Sequence, residues 1–451
     1  MRRHGALAAS KQMNNNLFMN KISTLILAMA FCAATMPSEA RDIDLKSFGA
    51  KPDGKTKVTA TLQKAINEVS KAGGGRVILS GGTFLTGPIE LKDGVELHIE
   101  ADATLLGSPD LKDYPNRTGS KHVIPENLPR WRDIALIYAD EAENIAITGR
   151  GTIDANGKYF VRPKTESDKT AWNYVRIVPN NESVPRVVYF TGCRNVTVTD
   201  VTMVNQPAGW SYWIHDCDLV HFDRCKILAN VEYPNNDGIH INSSRDVTVS
   251  NCFIETGDDS IIVRANNRSL HEKKVCERVT VTNCTLHSWA NGIRVGWVND
   301  GVIRDCVFSN IVMTDTNVGI VIQLPGETDS DYGCEATLIE NILFSNIVMD
   351  GIYAHPISAQ IADSEFTKVE AVRNIRFQGI HSRGLQFLYI KGTEKHPFEN
   401  FTFSDCTFER VSDEVLPGYK EHGSSYWDRH KEETFLHAKN FVFNNTTFTT
   451  Y

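Results

Sequence analysis

The stretch "RVTVTNCTL", Arg278 to Leu286, decides the fold of this chain of 451 residues. Val279 and Val281 alternate with Thr280 and Thr282, which is the period of a strand with one buried face. Asn283 then breaks the strand and a second short strand follows. Upstream the unit recurs as "DVTVSNCFI" at Asp246, "LVHFDRCKI" at Leu219, "NVTVTDVTM" at Asn195 and "NIAITGRGTI" at Asn144. Downstream come "VIRDCVF" at Val302, "NILFSNIVM" at Asn341, "NIRFQGIHS" at Asn374, "NFTFSDCTF" at Asn400 and "NFVFNNTTF" at Asn440. An irregular period of roughly 22 to 40 residues suits the coils of a solenoid whose turns carry loops of different length. A propeller would need a steadier period, and a sandwich would not repeat. The expectation is an all-β chain, a right-handed parallel β-helix.

Such a solenoid has an apolar open end. In "TATLQKAINEVSKAGGG", Leu62, Ala65, Ile66 and Val69 fall at helical spacing, with Thr59 or Thr61 as cap and Gly73 as stop. This helix is the expected lid, completed by Phe48 and the first coils. No linker-like stretch separates Asp42 from Tyr451, so residues 41–451 read as one domain. Tyr114 to Asp133, Tyr159 to Pro185 and Pro325 to Glu335 lack the repeat and are expected as loops projecting over one face.

Before the domain, Lys21, the apolar run "LILAMAFCAA" from Leu25 and the small residues Ser38 and Ala40 read as a secretory signal spanning residues 1–40. Lipidation at Cys32 is the weaker alternative, because Phe31 is large where a small residue is expected. The expected location is exported, periplasmic or extracellular. Loss of Arg2, Arg3, Lys11, Lys21 and Glu39 takes the formal charge from −8 to roughly −11. An acidic chain lacks the basic footprint that nucleic acid demands, and no later apolar run is long enough for a membrane span. The nine remaining cysteines follow the repeat rather than metal-ligand spacing, and read as small buried hydrophobes.

Function enters at "PNNDGIHI", Pro234 to Ile241, and "ETGDDSIIVR", Glu255 to Arg264. Equivalent positions of successive coils stack about 4.8 Å apart, so Asp237 is expected to face Asp258 across neighbouring rungs, with Gly257 kinking the backbone so that Asp259 also reaches the surface. Three clustered carboxylates do not all ionise easily. A protonated acid beside an ionised one is what glycoside hydrolysis requires. Asp-Gly turn chemistry and a calcium site are the competing readings.

In order along the chain, "FGAKPDGKTKVTATLQKAI", "GGGRVILSGGTFLTGPIELK", "GRGTIDANG", "VVYFTGCRNVTVTDVTMVNQPAGW", "NNDGIHI" and "GDDSIIV" resemble the polygalacturonase family, glycoside hydrolase family 28. The resemblance implies a right-handed β-helix that hydrolyses pectic α-linkages with inversion and without a metal or other cofactor. It implies Asp258 as general acid, Asp237 and Asp259 as the pair that holds and deprotonates water, and Asn235 as the first residue of the asparagine-x-aspartate motif. Two motifs depart from the family: Asn291 stands where a histidine is expected, and Val321 and Gln323 replace an arginine-x-lysine pair that grips a uronate carboxylate. Either Arg264 and Arg294 supply a relocated grip, or the sugar at that position is neutral. Asn291 and Gln323 are then substrate contacts in their own right. Trp210, Trp213, Trp289 and Trp297 are candidate sugar platforms or packing residues, and none of His215, His240, His271 and His287 is assigned the missing histidine's place. The expected activity is exported hydrolysis of a pectic polysaccharide or oligosaccharide, of the polygalacturonate or rhamnogalacturonan type, from chain ends. A β-helix lyase and an inactive carbohydrate-binding protein are the alternatives.

Overall fold

A computed structural model of the chain describes residues 40–115, 122–127, 134–168, 170, 172–178, 183–326, 333–417 and 434–451. The segment read as a secretory signal, apart from residue 40, lies outside the described residues, as do most of the expected loops Tyr114 to Asp133 and Pro325 to Glu335. The chain winds as a right-handed parallel β-helix. Eleven short strands stack in parallel into one narrow sheet: β1 (Ile89–Glu90), β2 (Ala135–Asp140), β3 (Arg186–Thr191), β4 (Tyr212–His215), β5 (Ile239–Asn242), β6 (Ile261–Arg264), β7 (Asn291–Val295), β8 (Val318–Leu324), β9 (Ile357–Ile361), β10 (Tyr389–Lys391) and β11 (Thr434–Leu436). The remaining walls form a second, larger sheet.

The repeat seen in the sequence is the bend of the larger sheet. Its first and sixth residues both take left-handed backbone angles, as Arg278 (φ 55°) and Asn283 (φ 55°), Asn341 (φ 58°) and Asn346 (φ 53°), or Asn400 (φ 59°) and Asp405 (φ 55°) show. Asparagine, aspartate and glycine tolerate this region best. Because the rungs are in register, the same residue types then stack. Asn374 donates through Nδ2 to Asn341 Oδ1 at 3.2 Å, Asn400 to Asn374 at 3.0 Å and Asn440 to Asn400 at 3.1 Å. Inside the coil, Phe308, Phe344, Phe377, Phe403 and Phe443 stack with successive ring centroids 4.8 to 5.1 Å apart. Cys225, Cys252 and Cys284 do likewise, each thiol donating to a backbone carbonyl. Among the described residues the nine cysteines form no disulfide, and all but Cys334 are buried.

Rungs vary more than the sequence suggested. Val77 lies opposite Leu97, whereas Ile145 lies opposite Val196. The longer coil carries an excursion whose strands Val161–Pro163 and Tyr174–Arg176 pair as an antiparallel hairpin.

The lid is helix α1 (Thr59–Lys71), which buries Leu62, Ala65, Ile66 and Val69 as the spacing predicts and ends before Gly73 (φ 91°). Its cap differs from expectation. Val58 occupies the N-cap with no side-chain bond. The Thr59 hydroxyl instead accepts from Gly87 N–H at 2.7 Å, because that backbone donor, in the coil beneath, has a stronger claim on it. Among the described residues no helix is long and apolar enough to cross a membrane.

The asparagine column sets a test. Asn374→Val places a β-branched residue at φ 58° and cuts two amide bonds, so thermal or urea unfolding should show a loss of about 2–4 kcal/mol. Asn374→Gly relieves the backbone and should cost only about 1–2 kcal/mol.

Candidate active site

The narrow sheet presents the three aspartates. Alternation within β5 and β6 sends Ile239, Ile241, Ile261 and Val263 into the core and His240, Asn242, Ile262 and Arg264 outward. Just before each strand the chain leaves this alternation, and there Asp237, Asp258 and Asp259 converge. One carboxylate oxygen from each lies within 4.8 Å of the others.

The register corrects one expectation. Ile239 pairs with Ile261, and Gly238 N–H donates to Asp259 C=O at 2.8 Å, so the ladder sets Asp237 opposite Asp259 rather than Asp258. The same ladder continues from Ser260 N–H to Asn291 C=O. Asp237, Asp259 and Asn291 therefore form one column, and Asp258 stands beside it. Gly257 is required for a different reason from the one expected. A side chain there would strike the carbonyl oxygens of Tyr233 and Val231 at 2.4 and 2.6 Å. The absence of a Cβ lets the loop before Asp237 press against Asp258.

That loop holds Asp258 in place. Asn235, at φ 52°, donates to Asp258 Oδ2 from its backbone N–H (3.2 Å) and from Nδ2 (3.1 Å). Asn236 Oδ1 accepts from the N–H groups of Gly257 (2.8 Å) and Asp258 (3.2 Å). The Asp258 carbonyl accepts the hydroxyls of Thr256 and Ser288, each at 2.6 Å. Sequence reasoning missed Asn236, Thr256 and Ser288, although "PNNDG" contained the first. It also missed Arg176, which arrives from the excursion hairpin, donating to Asn235 Oδ1 and to Ala208 C=O at 2.8 Å. No spacing along the chain signals that contact.

Burial and the neighbouring negative charge of Asp259 together push Asp258 up to about 6. Its hydrogen bonds and Arg294 pull the other way and are outweighed. Asp259 is buried, and Asn291 Nδ2 and Arg294 Nε both donate to it. His240 lies outward against Trp210, with ring centroids 4.3 Å apart, and burial pushes it well below the usual histidine range. His215 is fully buried and held to about 3 by burial, so neither ring is a cation at neutral pH.

The two arginines proposed as a relocated grip are engaged within the protein. Arg264 makes a two-pronged pair with Asp300, at 2.6 and 2.8 Å, and Asp300 is fully buried. Arg294 is paired with Asp259 and lies 4.4 Å over the Trp297 ring. A buried guanidinium without its carboxylate would be costly, so both pairs are fixed features of the floor. Gln323 lies beside Arg294, with Oε1 3.5 Å from Nη1.

On the rungs before the aspartates the outer face of the sheet is roofed. Val123 forms an antiparallel bridge with Leu270, and Ile124 N–H donates to Ser269 C=O at 2.7 Å. Beneath lie Tyr189 and Trp213, stacked at 4.3 Å, with Arg186 4.2 Å over Trp213. Trp213 is therefore a packing residue. Trp210 and Trp289 are half-buried, and Trp297 is buried under Arg294. His122 pins the roof by a 2.6 Å contact with Asp216, whose hydrogen bond raises the histidine above its usual value.

Residues 85–416 match the sequence model of glycosyl hydrolases family 28. The chain belongs to that family. An endo-polygalacturonase of Pectobacterium carotovorum subsp. carotovorum is 28% identical over 386 residues, 82% of this chain and 90% of its own. An exo-poly-alpha-D-galacturonosidase of Dickeya chrysanthemi is 27% identical over 311 residues, covering 62% of this chain and 51% of its own. Among solved structures, a family 28 exopolygalacturonase of Yersinia enterocolitica superposes with a TM-score of 0.68 over 91% of this chain and 75% of its own, at 20% identity. This family 28 member is a glycoside hydrolase.

The raised Asp258 carries a stability signature. Its carboxyl is neutral at no cost below about pH 4, the unfolded value, and the folded state is penalised as pH rises through about 6. Asp258→Asn should therefore unfold at higher temperature than wild type at pH 8, by about 2 kcal/mol, and lose that advantage near pH 4. Equal gains at both values would show that the carboxyl has the same pKa folded and unfolded.

Proposed function

We propose that this chain hydrolyses a pectic polysaccharide or oligosaccharide with inversion, acting from a chain end. Asp258 is the general acid, and Asp237 and Asp259 hold the attacking water. The observation that carries the reading is the convergence of three carboxylates within 4.8 Å, with Asp258 among them raised to about 6 by burial and by Asp259. A group in that range is protonated often enough to give a proton to the leaving oxygen at mildly acidic pH. The names of the relatives support a pectic substrate.

Two features support the finer reading. The bridge of Val123 to Leu270 covers the outer face of β3 and β4, the rungs immediately before the site, and so favours a closed end over an open groove. Where the sheet meets this wall it leaves a notch of about 20 Å³ among Trp210, Trp213, His240 and Arg264. On the rungs after the site, the outward positions of β8 and β9 are Val321, Gln323, Ser358 and Gln360, all uncharged. With Arg264 and Arg294 committed to Asp300 and Asp259, a neutral sugar such as rhamnose fits that side better than a uronate. Residues 41–451 act as one catalytic domain, and the signal-like segment before Ala40 supports work outside the cytoplasm.

The test follows products and first-formed anomer by proton NMR, with polygalacturonate and rhamnogalacturonan oligosaccharides as substrates. Wild type should release an inverted reducing-end sugar, faster from the rhamnogalacturonan series, with the polymer's viscosity falling slowly relative to new reducing ends. Asp258→Asn should lose about a thousandfold or more. An unsaturated product would transfer the reading to a lyase, and binding without turnover would transfer it to a binding protein.

A further inference from the structure

Of the groups around Asp259, Arg294 has no counterpart in the motifs that define the site. Titratable groups surround Asp259: Asp237 faces it from the rung below, Asp258 precedes it, Arg294 comes from β7 on the rung above, and His240 and Arg264 occupy the outward positions that follow along β5 and β6. Only 4% of Asp259 and 6% of Arg294 is exposed.

Both carboxylate oxygens of Asp259 are occupied. Oδ2 accepts from Arg294 Nε, and Oδ1 accepts from Arg294 Nη2 at 3.4 Å and from Asn291 Nδ2. The guanidinium is itself braced, by the Trp297 ring at 4.4 Å and by Gln323 at 3.5 Å. A carboxylate held by a buried guanidinium and an amide is strongly favoured in its charged form. It is correspondingly a poor acceptor for a further proton.

Resting on the hydrolase reading above, we propose that Arg294 is a positioning residue that keeps Asp259 ionised throughout turnover, so that Asp259 orients the water and Asp237 alone takes its proton. The step then balances simply. Water oxygen bonds to the anomeric carbon as the glycosidic C–O bond breaks. Asp258 gives its proton to the leaving oxygen, and the water's proton passes to Asp237. After product leaves, that proton returns to Asp258 within the trio. Burial and the negative charge fixed on Asp259 together hold the proton on Asp258 between turnovers, so the arginine, by fixing that charge, helps decide which carboxyl is the acid. Asn291 contributes the second donor from the position where the family's histidine is expected.

The experiment compares pH profiles of kcat/KM for wild type, Arg294→Met and Arg294→Lys, with folding checked by circular dichroism. Removing the cation should let Asp259 compete for the proton and move the acid limb of the Met variant up by about one pH unit, a tenfold loss at pH 4.5, with the Lys variant largely restored. A merely structural role would lower the whole profile without shifting its limb. A second comparison does not depend on the single variant. Asp237→Asn should fall about a thousandfold, whereas the Arg294→Met/Asp259→Asn double variant, which leaves no buried charge unpaired, should retain at least tenfold more activity than Asp237→Asn. An unmoved acid limb in an active Met variant, or a double variant as inactive as Asp237→Asn, overturns the inference while leaving the hydrolase reading intact. If wild type releases no sugar, both fall together.

Discussion

In-register stacking of parallel rungs is the constraint from which the rest follows. Once strands pair at a repeat of about 4.8 Å, whatever occupies one position of a coil meets its counterpart above and below. For amides, rings and thiols this is favourable, and the asparagine, phenylalanine and cysteine columns are the result. For charges it is favourable only when signs alternate. Away from the site they do: Arg245 meets Asp218, Arg278 meets Asp246, Arg304 meets Glu277 and Arg373 meets Glu340. At the site the ladder sets Asp237 against Asp259, like on like, with Asp258 alongside. Burial and that local conflict together raise Asp258, and the Arg294 pair contains the conflict.

How far the sequence could be read tracks how local each feature is. Strand alternation and the asparagines at left-handed positions are written into nine or ten consecutive residues, so the solenoid was legible throughout. The lid helix was legible because Leu62, Ala65, Ile66 and Val69 share one face. The three aspartates stood out because two short motifs fall on adjacent coils. Their pairing did not, since it turns on how the loop before Asp237 presses on Gly257, a one-residue difference that decides which aspartate joins the ladder. The partners of the arginines are hidden from the sequence for a similar reason. Arg264 and Asp300 are separated by a whole coil with its loop, and only the folded register reveals that the guanidinium is already taken. Arg176 reaches Asn235 from an excursion that obeys no repeat.

The excursions give the cleft its shape without disturbing the coil. One brings Arg176 to the loop that holds Asp258, and the segments around Val123 and Leu270 close over the preceding rungs. Both act on the outer face of the narrow sheet, whose strands have only four or five residues near the site. A short strand exposes few side chains per rung, so each loop laid across it changes the accessible floor substantially.

The unbonded thiols carry a consequence for how this molecule can be produced and handled. Stability comes from stacked rungs and not from cross-links, so folding needs no oxidant and should proceed equally well under reducing conditions. Burial pushes the Cys306 thiol up to about 12, and its neighbours in the wall are shielded in the same way. Among the described residues, Cys334 is the one exposed sulfur, and it offers a single attachment point for a probe or a surface.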